Sequence, residues 1–122
     1  MKITSFNPII VTKDAKAVTA LFEELGFEIR HTKGGFNAEN VRIYDMKNAD
    51  GFRVDVSEKD GLEQDRLVIR MNVDDIDEAY GLLTAHGFKN ARGDEIEDSG
   101  SSKTALMISP TGYCIRVIQH TK

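Results

Sequence analysis

Six residues come in pairs spaced two apart: Arg53 with Asp55, Arg70 with Asn72, and Cys114 with Arg116. Each pair lies in a stretch whose apolar residues alternate, so its two members share one face of a strand. A planar guanidinium binds carboxylate or phosphate in a two-pronged geometry. A carboxylate such as Asp55 can take up a proton, and a thiol can attack once a base or a positive environment makes it a thiolate. Arg53, Arg70 and Arg116 outnumber Asp55, which leaves positive charge in surplus. Such a face suits a small anionic or amphipathic ligand, its apolar part covered by Phe6, Val68 and Ile118. The plainer alternative is that the arginines sit at exposed strand ends, where solvation alone accounts for them.

Other residues with chemical potential have simpler explanations. No histidine stands near Cys114 in the sequence, so a small buried side chain is the expectation there. His31, His86 and His120 fall at a strand end, a helix end and near the C-terminus, without metal-type spacing. Asp74, Asp75, Asp77 and Glu78 suit the positive end of a helix and lack the loop spacing of a calcium site. Gly34-Gly35 follows no strand-to-helix phosphate loop and reads as a turn. Tyr44 and Tyr113 could offer a phenol to the ligand or to a subunit contact.

The elements that must position these residues are written twice. Leu67–Phe88 reads as a strand, an acidic turn, a helix and a glycine stop, and Phe6–Phe27 reads the same way. Val11 answers Val73 at an offset of 62, Gly26-Phe27 answers Gly87-Phe88 at 61, and Asp50–Val54 answers Thr111–Ile115 at 61. A period this long fits two copies of a small αβ module rather than a solenoid. The first copy, residues 1–60, predicts a strand over Lys2–Val11 and a helix over Ala15–Leu25, capped by Asp14 and buried through Val18, Leu21, Phe22 and Leu25. Strands follow at Phe27–Thr32, Val41–Met46 and Phe52–Ser57, with a loop from Gly34 to Asn40. Alternation puts Phe6, Pro8 and Ile10 on the face of the first strand turned from the helix. Glu58–Gln64 is the expected linker. The second copy, residues 65–122, predicts a strand ending at Val73 and a helix capped by Asp74 or Asp75 and buried through Ile76, Ala79, Tyr80 and Leu83. Strands over Phe88–Ala91, Thr104–Ser109 and Tyr113–His120 complete it, with Asp94–Lys103 as a loop. Each copy is βαβββ, and the fold class is α+β.

Length and composition bound the reading. A chain of 122 residues, 40% hydrophobic and 30% charged, is one globular domain or two half-domains. A net charge of −4 argues against nucleic acid or an anionic membrane as partner. One cysteine excludes an internal disulfide and suits the cytoplasm. The first residues do not resemble a signal peptide, and no run approaches the roughly 20 apolar residues of a membrane span.

The segments VTKDAKAVTALFEELGFE, VDDIDEAYGLLTAHGF and SPTGYCIRV resemble the vicinal oxygen chelate superfamily, which includes glyoxalase I, extradiol dioxygenases and bleomycin-binding proteins. The resemblance implies two βαβββ modules curled around a cavity, with outer helices, and a homodimer. It also implies metal anchors at Phe6, Asp55, Val68 and Arg116. Phenylalanine and valine offer no lone pair and a guanidinium repels a cation, so only Asp55 qualifies, against about three ligands needed. No metal and no cofactor are therefore expected. Asp55 and Arg116 occupy equivalent positions of the two copies, so a salt bridge in place of the metal is one expectation. The ligand-binding candidates are Phe6, Arg53, Asp55, Val68, Arg70, Asn72, Cys114 and Arg116. The preferred function is metal-independent binding of a small molecule. The alternatives are a glyoxalase-like lyase or isomerase with Asp55 as general base, and an interaction module whose cavity has collapsed.

Overall fold

The structure is a computed structural model that describes residues 1–34 and 42–121. The expected loop beyond Gly34, and Val41, lie outside the described residues. By contact the chain divides into two units, Asn7–Leu67 and a second that joins Met1–Phe6 to Val68–Lys122. Among the described residues the fold is α+β, with two helices and mixed sheet. No helix among them is long and apolar enough to cross a membrane.

In the first unit, β1 (Ile3–Thr12) pairs in parallel with β4 (Arg53–Glu58), Ile9 standing beside Asp55. Antiparallel pairing adds β3 (Arg42–Lys47) and then β2 (Glu28–Gly34), whose register shifts between Ile29 and His31. Helix α1 (Ala15–Glu24) starts where Asp14 accepts the Ala17 amide at 3.2 Å, satisfying one of the donors that a helix start leaves open. The core on its side of the sheet is Ala15, Met46, Val54 and Val56, flanked by Ile10, Val18, Phe22, Phe27 and Tyr44.

In the second unit, β5 (Arg66–Val73) pairs in parallel with β9 (Cys114–His120), and β8 (Ser102–Ile108) runs antiparallel to β9. Two short strands, β6 (Lys89–Asn90) and β7 (Glu97–Asp98), pair with β8. The expected loop over Asp94–Lys103 therefore contains a strand of its own and gives its last two residues to β8. Helix α2 (Ile76–Ala85) is capped by Asp75, which accepts the Glu78 amide at 3.1 Å. Asp74 instead accepts the Lys2 amide at 2.6 Å. The Ile76 amide is satisfied by Gln119 Oε1 at 2.9 Å. The core is Met71, Val73, Ile76, Ala79, Phe88, Ala105, Met107 and Val117.

The repeat has a single period. The helix starts Ala15 and Ile76 lie 61 positions apart, as do the caps Asp14 and Asp75 and the strand starts Arg53 and Cys114. The pairing Arg42↔Glu58 recurs as Lys103↔Gln119, so even the register repeats. The offset of 62 is thereby corrected: the counterpart of Val73 is buried Thr12, not Val11. The same period corrects the stripe of α1. Ala15, Val18, Thr19 and Phe22 turn inward, matching Ile76, Ala79, Tyr80 and Leu83 of α2. Leu21 and Leu25 are 53% and 61% exposed, because a helix that buries the first set turns those two outward.

Gly26 and Gly87 end the two helices at φ of +98° and +89°. A side chain at either position costs about 1–2 kcal/mol in backbone strain. An added methyl at Gly26 meets open space, whereas at Gly87 it meets Pro110 Cγ at 2.9 Å. Urea denaturation should therefore find Gly87→Ala more destabilising than Gly26→Ala. Equal losses would mean that the Pro110 ring yields without cost.

Candidate ligand-binding face

In the second unit, alternation sends Met71, Val73, Val117, Ala105 and Met107 to the α2 core. The residues between them must occupy the opposite face. The β5–β9 register puts Val68 beside Cys114, Arg70 beside Arg116 and Asn72 beside Ile118. Across β8–β9, Leu106 stands beside Arg116 and Ile108 beside Cys114. Neighbouring strands lie about 4.8 Å apart, so the Arg70 and Arg116 side chains leave the sheet side by side. Both arginines are half-buried. Arg70 Nε donates to Asn72 Oδ1 at 3.1 Å, which fixes one edge of the guanidinium. Cys114 is a half-buried free thiol between Val68 and Ile108.

In the first unit, Asp55 is buried at 3% exposure, with Ile9 and Asp45 as its cross-strand neighbours. Alternation along β1 adds Asn7 and Val11 to that face. Asn7 is buried, and its amide donates to the Pro8 carbonyl at 3.0 Å. Pro8 and Ile10 were expected on this face. Ile10 instead packs on the α1 core. The reason is the register, which makes Ile9 the neighbour of Asp55.

Phe6 is 63% exposed, and the period of 61 makes exposed Leu67 its counterpart. The counterpart of Val68 is Asn7. Counting from the glycine pair Gly26 and Gly87, rather than from like residue types at Val11 and Val73, would have found it. Arg53 is exposed at the first position of β4, beside Lys47. Solvation alone accounts for Arg53, but not for Arg70 or Arg116.

Of the remaining candidates, Tyr44 packs on the α1 core. Tyr113 meets the Phe88 ring edge-on at 5.6 Å. His31 and His120 are exposed near strand ends, and His86 is exposed at the C-terminal cap of α2. A hollow of about 390 Å³, walled by Gly87, Lys89, Ile108, Ser109 and Pro110, lies at the end of the second unit where α2 stops.

No protein-family profile and no curated relative matches the sequence. Solved structures do match in fold. A methylmalonyl-CoA epimerase is 20% identical at a TM-score of 0.71, covering 95% of this chain and 94% of its own. A glyoxalase/bleomycin resistance protein/dioxygenase superfamily member from Vibrio splendidus 12B01 is 20% identical at 0.65, covering 97% and 99%. A glyoxalase I mutant from Zea mays is 14% identical at 0.72, covering 98% of this chain and 44% of its own. The chain has the vicinal oxygen chelate fold.

The period of 61 makes Asn7, not Phe6, the counterpart of Val68, as Asp55 is the counterpart of Arg116. This replaces Phe6 with an amide that can donate a lone pair. In the second unit Val68 offers no lone pair and the Arg116 guanidinium repels a cation, and in the first unit Asn7 and Asp55 fall short of the about three protein ligands a divalent centre takes. Among the described residues, no three His, Cys, Asp or Glu side chains come together to hold a metal.

The turn before each last strand repeats with different chemistry. Asn48 Oδ1 accepts the Asp50 and Phe52 amides at 3.1 and 2.8 Å. Ser109 Oγ accepts those of Thr111, Gly112 and Tyr113 at 3.3, 2.9 and 3.0 Å. Ser109 is buried, so Ser109→Ala should cost about 1–3 kcal/mol in urea denaturation. A loss near zero would show that water replaces the hydroxyl. Titration with manganese, cobalt, nickel or zinc should leave the thermal midpoint unchanged. A rise that disappears in Asp55→Asn would contradict the donor analysis, since a bound ion stabilises by about 2.7 kcal/mol at 100 times its Kd.

Proposed function

We propose that the protein binds a small anionic molecule on the Arg70–Arg116 face and needs no metal to do so. The carrying observation is the β5–β9 register, which sets two half-buried guanidinium groups side by side. A guanidinium binds carboxylate or phosphate in a two-pronged geometry, so this face suits an oxyanion. Val68 and Ile118 flank the arginines with apolar surface for the remainder of the ligand. One solved structure of this fold, the Streptomyces coelicolor methylmalonyl-CoA epimerase, is a complex with 2-nitronate-propionyl-CoA. That supports ligand binding as a use of the fold, though function resides in sites rather than folds. The reading extends to a cytoplasmic homodimer, which sedimentation of the purified chain tests.

Calorimetry with carboxylates and phosphates is the direct test. The double variant Arg70→Ala/Arg116→Ala should weaken binding about 100-fold or abolish it, while Arg53→Ala should leave it unchanged. Binding that survives the double variant overturns the proposal.

A second reading is an isomerase or lyase, favoured by the epimerases and glyoxalase I among the similar folds. Buried Asp55 would then take the proton. Turnover of a 2-substituted malonyl thioester or a hemithioacetal, lost in Asp55→Asn, would establish it.

A further inference from the structure

We infer that the hollow where α2 stops is a binding site for a small monocarboxylate with an aryl or alkyl body, and that it works without Arg70 or Arg116. Gly87, Lys89, Ile108, Ser109 and Pro110 wall about 390 Å³. That equals the liquid volume of about 13 waters, room for roughly ten non-hydrogen atoms, and falls at the lower end of the range for ligand pockets. The β6–β8 register sets Lys89 directly across from Ile108. Pro110 is held by its turn, in which buried Ser109 accepts three amides. A methyl on Gly87 would lie 2.9 Å from Pro110 Cγ, so this turn packs closely against the end of α2. The wall is apolar at Ile108 and Pro110, and Ile108 is 37% exposed. Lys89 brings the charge. Among the described residues its ammonium has no hydrogen-bond or ion-pair partner.

The first unit finishes the same place differently. With the period of 61, Gly26 stands for Gly87, Glu28 for Lys89 and Lys47 for Ile108. The pairing Glu28↔Lys47 accordingly repeats Lys89↔Ile108. Opposite charges face each other across the strands there, and Glu28 also reaches Arg30 at 3.7 Å. That copy supplies its own counter-charge. In the second copy an isoleucine stands across from the charged residue, and the counter-charge is left to a ligand. Solvation alone would account for an exposed ammonium, but not for the apolar hollow set beside it. A carboxylate meets the ammonium through a charge-assisted hydrogen bond, while an apolar body covers Ile108 and Pro110.

The test is calorimetry with 3-phenylpropionate, its neutral amide 3-phenylpropionamide, and propionate, on wild type, Lys89→Ala and Ile108→Trp. Wild type should bind 3-phenylpropionate about tenfold more tightly than the amide, which lacks the charge, or propionate, which lacks the body. Lys89→Ala should weaken 3-phenylpropionate about tenfold and leave the amide unchanged. Ile108→Trp, which fills the hollow, should abolish binding of both. Lys89 is exposed, so its variant keeps the test decisive if the tryptophan variant fails to fold. Equal binding of the acid and its amide overturns the assignment. So does 3-phenylpropionate binding that survives Lys89→Ala, or no binding to wild type at millimolar concentration.

Discussion

The parallel pairing of β5 with β9 is the constraint on which the second unit depends. It fixes two things at once. On one face it brings Met71 beside Val117, in the core with Val73 that α2 covers. On the other it brings Arg70 beside Arg116. A slip of one residue would exchange the faces, burying guanidiniums under α2 and exposing the core. Because the apolar face cannot be moved without losing its burial, the arginines are held in place by residues they do not touch. Parallel strands need a crossover; here it runs through α2, which covers the apolar face, and then β6, β7 and β8.

The first unit repeats the construction with other contents. Thr12 stands where Val73 does, Ile9 where Arg70 does, and Asp55 where Arg116 does. The architecture is set by positions that both copies keep apolar or kinked, such as the helix stripes and the glycine stops. The faces turned away from the helices are free to differ because nothing in the helix packing constrains them. The resulting asymmetry, carboxylates at Asp45 and Asp55 in one unit and guanidiniums at Arg70 and Arg116 in the other, lies in the residues between the core positions.

Most of the fold was legible in the sequence. Ile76, Ala79, Tyr80 and Leu83 form a clean helical stripe, and Asp75 and Gly87 mark its ends. Residue type misleads in the first strand. Val11 looks like Val73, but the glycines and helix caps agree on a spacing that makes Thr12 the counterpart. That single residue put Phe6 and Ile10 on the face that Asn7 and Ile9 occupy. In α1, Leu21 and Leu25 are apolar enough to join the stripe, yet Ala15 and Thr19 take the inward positions because the helix turns 3.6 residues at a time. The two-residue strand at Glu97–Asp98 left no periodic signal, since two residues cannot show one. The Arg70–Asn72 hydrogen bond was legible only as a shared face; which edge of the guanidinium it occupies depends on side-chain rotamers that a sequence does not fix.

The measurement that bears most directly on this account is nuclear magnetic resonance of the arginine Nε–H groups during a malonate titration. The account predicts saturable shifts at Arg70 and Arg116 with one common Kd and none at exposed Arg53. Unchanged Arg70 and Arg116 signals at millimolar malonate, or shifts shared equally by Arg53, would contradict it.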